Sequence, residues 1–112
     1  MSLILLEQRD DRIAFDQEVL RHEVLSKLRK ALKLHLPNQA VWVYGSVLAP
    51  NKFSIRSDID IALETPPKLV SIYLLQSLLT EATGHEVDVC FLEETRLREK
   101  IETHGERWIE SA

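Results

Sequence analysis

Two aspartates separated by one residue lie near the middle of the chain. Asp58 and Asp60 belong to residues 58–64, in which polar and apolar residues alternate. An alternation of period two predicts a strand, and residues two apart in a strand project from the same face of a sheet. Both carboxylates then point to one side, away from Ile59 and Ile61. Paired carboxylate oxygens of this kind can share a hard cation such as Mg²⁺.

A third aspartate, Asp88, lies in a second alternating stretch, residues 86–92. If that strand pairs beside the strand of Asp58 and Asp60, all three carboxylates point to the same region. Two such charges about 4 Å apart repel by roughly 4 kcal/mol at an effective dielectric constant near 20. A cluster of this kind requires positive charge, so the three acids predict a divalent metal site.

The pair Gly45-Ser46 follows a short apolar run, residues 40–44, that is rich in β-branched and aromatic side chains. Such a run predicts a buried strand that ends in a turn. Backbone N–H groups in the turn and the Ser46 hydroxyl can hold a phosphate, and Gly45 permits close approach of the backbone. An anion site beside a carboxylate-metal cluster suits metal-assisted phosphoryl or nucleotidyl transfer.

The remaining pattern predicts helices that support these strands. Apolar residues spaced by four between Leu20 and Leu36 predict an amphipathic helix over residues 15–36, before Pro37. Residues 68–83 predict a strongly apolar helix before Gly84, and residues 93–109 predict a closing helix with Trp108 on its apolar side. The expected fold class is α/β (α+β), with a small mixed β-sheet and helices packed mainly on one face.

Together, the motifs resemble those of the polymerase-β-type nucleotidyltransferase superfamily, and the compact chain resembles its minimal nucleotidyltransferase (MNT) branch. The motifs that carry the resemblance are Gly45-Ser46, then eleven residues, Asp58-Ile59-Asp60, and the later Val87-Asp88-Val89. The resemblance implies a nucleotidyltransferase fold in which Gly45 and Ser46 bind the triphosphate of ATP. It also implies that Asp58 and Asp60 bind two Mg²⁺ ions and that Asp88 completes the catalytic metal site.

The turn departs from the family pattern in one respect. Members often continue Gly-Ser with an arginine and a second glycine, whereas this chain continues Val47-Leu48-Ala49-Pro50. Lys52 and Arg56 are the candidates to replace the missing positive charge.

The resemblance also implies a partner, because MNT proteins are commonly paired with a helical HEPN protein. Many such pairs are toxin–antitoxin systems, and some MNT members transfer AMP to a hydroxyl of the toxin. This protein adenylyltransferase activity is the leading expectation. Two alternatives are a two-component enzyme that nucleotidylates a small molecule such as an aminoglycoside, and a non-catalytic antitoxin that acts by binding. The apolar helix over 68–83 could contact a partner, a second copy of the chain, or the first helix.

Length and composition limit the number of domains, the class of partner and the cellular location. A length of 112 residues predicts a single domain over 1–112, which the resemblance implies is a nucleotidyltransferase domain. A net charge of −4 does not favour nucleic acid as a partner. No apolar run is long enough for a membrane span, and the apolar tetrad at residues 3–6 lacks the flanks of a secretory leader. The single cysteine, Cys90, is expected to be a buried structural thiol, the histidines have no assigned role, and the expected location is cytoplasmic.

Overall fold

The computed structural model describes the backbone of residues 3–112 and the side chains of residues 11–112. It has three helices and a four-stranded sheet within that range, which confirms the predicted mixed fold. The elements are α1 (Leu3–His35), β1 (Ala40–Tyr44), β2 (Ile59–Leu63), α2 (Ile72–Thr83), β3 (Val87–Phe91), α3 (Arg98–His104) and β4 (Glu106–Ile109). A single 3-10 turn, Ser46–Leu48, follows β1. The side chains of the apolar tetrad at residues 3–6 lie outside the described part.

The strand order is β3-β2-β1-β4. The inner strand β1 is antiparallel to both neighbours, whereas β2 and β3 are parallel and are joined through α2. The two faces of this sheet differ in what covers them. We call the face covered by α1 and α2 the core face, and the face that carries Asp60 the acid face.

Helix α1 supplies the first half of the core. Val24, Leu28, Leu32 and Leu36 are at most 2% exposed, which confirms the face predicted from their spacing. The helix begins at Leu3, well before the predicted start at residue 15. Its first turns contain good helix formers such as leucine, glutamate and arginine but lack the apolar spacing of four, so periodicity alone did not detect them.

Helix α2 is shorter than predicted, because it begins at Ile72 and not at residue 68. Ser71 is its N-cap, and the Ser71 hydroxyl accepts a hydrogen bond from the Leu74 backbone N–H at 3.1 Å. The predicted end is confirmed, since Gly84 adopts the left-handed conformation with φ of 75°.

The predicted closing helix to residue 109 is wrong. Helix α3 ends at His104, and the chain then adds β4 to the free side of β1. Gly105 makes this possible, since a Cβ there would lie 2.6 Å from the Ile101 carbonyl oxygen and 3.0 Å from that of Val43. Only glycine lets the chain turn this close to β1.

The correction moves Trp108 from a helix to a strand. Its side chain is 6% exposed within the core-face cluster, and the Arg29 guanidinium of α1 lies 3.8 Å from the ring centroid. A cation over an aromatic face in this way adds electrostatic attraction to packing.

Among the described residues, no helix is both long and apolar enough to cross a membrane.

Candidate active site

The three predicted acids are brought together by the pairing of β2 with β3. The parallel register sets Asp60 directly beside Asp88, and Asp58 comes immediately before β2. Asp60 is half-buried, whereas Asp58 and Asp88 are exposed. The neighbouring Ile59 and Ile61 are fully buried on the core face, so the alternation predicted from sequence is confirmed.

The carboxylates of Asp58 and Asp88 repel the carboxylate of Asp60. Burial raises the pKa of the Asp60 carboxyl above its ordinary value, and the nearby carboxylates of Asp88 and Asp58 raise it further. Each effect disfavours the ionised form. A positive charge at this position would therefore relieve repulsion that the fold itself creates.

The chemistry of these side chains fits Mg²⁺, which prefers carboxylate oxygens. Among residues 11–112, however, no three His, Cys, Asp or Glu side chains form a group ready to hold a metal ion. The strands fix where the aspartates start, and rotation of the exposed Asp58 and Asp88 side chains would have to complete the coordination. The metal-binding role of Asp58, Asp60 and Asp88 stays a prediction.

The turn after β1 lies against Asp60. Gly45 has φ of 85° and ψ of −155°, a conformation that is essentially restricted to glycine. A Cβ at this position would lie 2.8 Å from Asp60 Oδ2. Glycine thus allows a carboxylate and the turn backbone to share this space, and it places Ser46 next to the acid.

A cleft of about 720 Å³ opens beside this turn. It is lined by Tyr44, Gly45, Ser46, Leu48, Ala49, Lys52, Asp60, Leu97, Lys100, Ile101 and His104. Of the predicted site residues, Gly45, Ser46 and Asp60 line it, whereas Asp58 and Asp88 lie outside its lining. Lys52 lines the cleft and Arg56 does not, which separates the two candidate loop cations.

A family model described as "Polymerase beta, Nucleotidyltransferase" matches residues 26–111, which contain the turn, the three aspartates and the cleft. This chain belongs to that family. The nucleotidyltransferase is also similar to a solved structure described as "Crystal structure of the toxin-antitoxin with AMP-PNP". The two share 26% identity with a TM-score of 0.58, over 75% of this chain and 72% of the other. A search of curated proteins gives no match.

Tyr44 of the nucleotidyltransferase, the last residue of β1, contributes to the candidate site. It lines the cleft, and its hydroxyl lies 3.6 Å from Cys90 Sγ. Burial and this contact raise the pKa of the Tyr44 phenol, so it stays protonated near neutral pH. Cys90 is half-buried on the acid face and not fully buried as expected.

His85 fixes the loop that leads to Asp58 in the nucleotidyltransferase. Its ring is buried and lies 4.8 Å from the ring of Phe53, and Nδ1 donates a hydrogen bond to the Ser57 carbonyl oxygen at 2.8 Å. The sequence assigned this histidine no role. Its burial depends on two loops meeting, which no local pattern reveals.

Helix α1 braces the turn of the nucleotidyltransferase from the other side. Arg21 Nη1 donates a hydrogen bond to the Val47 carbonyl oxygen at 3.2 Å, and the same guanidinium pairs with Glu18. The first helix therefore holds the 3-10 turn in addition to covering the core face.

Proposed function

We propose that this chain is a Mg²⁺-dependent nucleotidyltransferase that transfers AMP from ATP to a hydroxyl of a HEPN toxin protein, and so acts as its antitoxin. The observation that carries the proposal is the convergence of Ser46 and Asp60 in one cleft, with Asp88 in register beside Asp60. The similar solved structure, a toxin–antitoxin with AMP-PNP, supports both an adenine nucleotide as donor and a toxin as partner.

The chain's own groups suit this transfer. Ser46 and the backbone of its turn bind the phosphates, and Asp58, Asp60 and Asp88 would hold the metal ions. Mg²⁺ bound there supplies positive charge that neutralises the phosphates during the reaction. The acceptor oxygen forms a bond to the α-phosphorus while the bond to the β-phosphate oxygen breaks, which releases pyrophosphate. Asp88, exposed beside the cleft, accepts the proton of the acceptor hydroxyl.

Exposed apolar side chains on two helical segments support a protein partner. Ile13, Phe15 and Val19 are 40–68% exposed on α1. Leu69, just before α2, and Tyr73 and Leu74 within it are 49–84% exposed. Apolar side chains grouped on a surface favour a partner that covers them. Tyr73 and Leu74 thus leave part of the apolar surface of α2 uncovered in the single chain.

The first test is isothermal titration of the purified chain with ATP in the presence and absence of Mg²⁺. We expect Mg²⁺-dependent binding that Asp58→Asn weakens about tenfold or more, which corresponds to ~1.4 kcal/mol. Asp58 is exposed, so the variant should fold normally. Asp16→Asn, at an exposed position of α1, is the matched control and should bind as the wild type does. An ATP affinity that is the same without Mg²⁺, or the same in Asp58→Asn, would contradict the proposal.

The second test concerns transfer and separates the three expected functions. The chain is incubated with α-labelled ATP, Mg²⁺ and a purified HEPN toxin protein, and label on that protein supports the proposal. Label on an aminoglycoside but not on the protein would instead favour a small-molecule acceptor. If the Asp58→Asn, Asp60→Asn double variant still neutralises the toxin fully, the chain acts by binding alone.

A further inference from the structure

One wall of the cleft comes from α3, which contributes Lys100, Ile101 and His104. Lys100 and His104 are four residues apart, so their side chains lie on the same ridge of the helix. Lys100 therefore contributes an ammonium group to the lining of the cleft that Gly45 and Ser46 also line.

The charge of Lys100 is not neutralised by the protein. Among residues 11–112, the ion pairs within 4.0 Å include Arg98 with Glu102 and Arg107 with Glu64, and none involves Lys100. Two neighbouring arginines, Arg98 and Arg107, thus have acidic partners, whereas Lys100 lines the cleft without one. An ammonium group in that position favours an anionic ligand.

Helix α3 is held firmly enough to present this charge at a defined place. Ile101, next to Lys100, is 2% exposed in an apolar cluster on the acid face that includes Ala62. At the end of the helix, Gly105 lies against the Val43 carbonyl, two residues before the Gly45 turn. Both lysines are exposed, but Lys100 belongs to a helix that the buried Ile101 holds against the sheet, whereas Lys52 belongs to a loop.

We propose that Lys100 binds the β- and γ-phosphates of the nucleoside triphosphate, with His104 as the second contact of α3. This inference rests on the proposed function and deepens it. The turn of residues 45–50 has no basic side chain, so a cationic side chain that contacts the phosphates has to come from another part of the cleft lining. Lysine binds phosphate as a point charge, and a cation on α3 balances the triphosphate from the wall that does not carry the aspartates.

The test is titration of Lys100→Gln with ATP, ADP and AMP in Mg²⁺. We expect about a tenfold weaker affinity for ATP, or ~1.4 kcal/mol, and less than about a twofold change for AMP, which lacks both phosphates. Lys100→Arg keeps the charge and should retain most of the affinity. Lys30→Gln, an exposed lysine of α1, is the matched control and should leave all three affinities unchanged.

The outcomes separate this inference from the proposed function. Unchanged ATP affinity in Lys100→Gln, while Asp58→Asn loses Mg²⁺-dependent binding, overturns the inference alone. An equal loss for ATP and AMP also overturns it, because a phosphate contact must depend on phosphate number. Absence of any Mg²⁺-ATP binding by the wild-type chain overturns both. A thermal melt of Lys100→Gln equal to that of the wild type confirms that the variant is folded.

Discussion

The two faces of the sheet differ although they come from the same strands. On the core face, Ile59, Ile61 and Val43 are fully buried beneath α1 and α2. On the acid face, the short α3 covers a smaller cluster around Ala62 and Ile101, next to the half-buried Asp60. The core face therefore supplies most of the buried apolar surface, and the acid face carries the candidate site.

This division follows from the alternation of side chains along each strand. Asp60 stands between Ile59 and Ile61, both 0% exposed, yet its own carboxylate lies beside two other carboxylates. Burial of the isoleucines stabilises the strand that holds the acid in a repulsive position. Substitutions on the core face should therefore lower stability, and those on the acid face should change binding with smaller effects on stability.

The largest expected effect is on the core face, at Leu28 of α1. Leu28→Ala should lower the free energy of unfolding by about 3 kcal/mol, because it removes a fully buried side chain and leaves a cavity. Urea unfolding measures the change. Leu34→Ala, on the same helix but 69% exposed, is the matched control and should change stability by less than about 0.5 kcal/mol. Equal effects at both positions would break the proposed division.

The next effect is at the turn between the faces. Gly45→Ala should cost about 1–3 kcal/mol, because alanine is strained at its φ and ψ and its Cβ would meet Asp60. It should also abolish Mg²⁺-ATP binding in titration. Gly84→Ala is the control, since φ there is also positive at 75° but no atom lies within 4 Å of the added Cβ. That variant should lose stability and keep its nucleotide affinity; loss of binding in both would point to general unfolding.

The smallest effect has the opposite sign and is at Asp60. Because the folded state raises the pKa of this carboxyl, the folded protein holds its proton more tightly than the unfolded chain does. Stability from this group is thus greatest at pH values below the ordinary pKa of 3.8 and falls as pH rises through the raised value. Asp60→Asn should therefore increase stability near neutral pH, by less than Leu28→Ala lowers it.

Urea unfolding of Asp60→Asn between about pH 4 and pH 8 measures that gain, which should grow with pH. Asp16→Asn, exposed on α1, should show no such gain. A loss of stability in Asp60→Asn at neutral pH would contradict the repulsion described for the acid face. The same variant should lose transfer activity, so its stability and its function would move in opposite directions.

Most of the fold could be predicted from sequence because its patterns are local. The strands of Asp60 and Asp88 alternate clearly, and α1 repeats its apolar residues every four positions over its buried half. Strand β4 could not be predicted this way. Four residues are too few for their periodicity to distinguish a strand from a continuation of the preceding helix. What ends α3 is the close approach of Gly105 to β1, a tertiary contact.

The same distinction applies to the candidate site. Gly45, Ser46 and the aspartates stand in short motifs, so sequence identified them, and the structure sets Asp60 beside both the turn and Asp88. Lys100 and His104 reach the cleft only because α3 packs across β1. The spacing of four between Lys100 and His104 was visible in the sequence, but no local pattern indicated what that side of the helix would face.

The pairing of β1 with β4 has a consequence for how the molecule folds. Val43 pairs with Glu106, more than half the chain length away, and contacts between residues so distant in sequence form more slowly than local ones. During synthesis, β1 can pair with β2 early, but its other edge stays open until residue 109 has left the ribosome. The α3 wall of the cleft, which packs against β1, is then added after the β1–β2 pair and the Gly45 turn between them. We expect a nascent chain to gain the complete cleft only after α3 and β4 have joined β1.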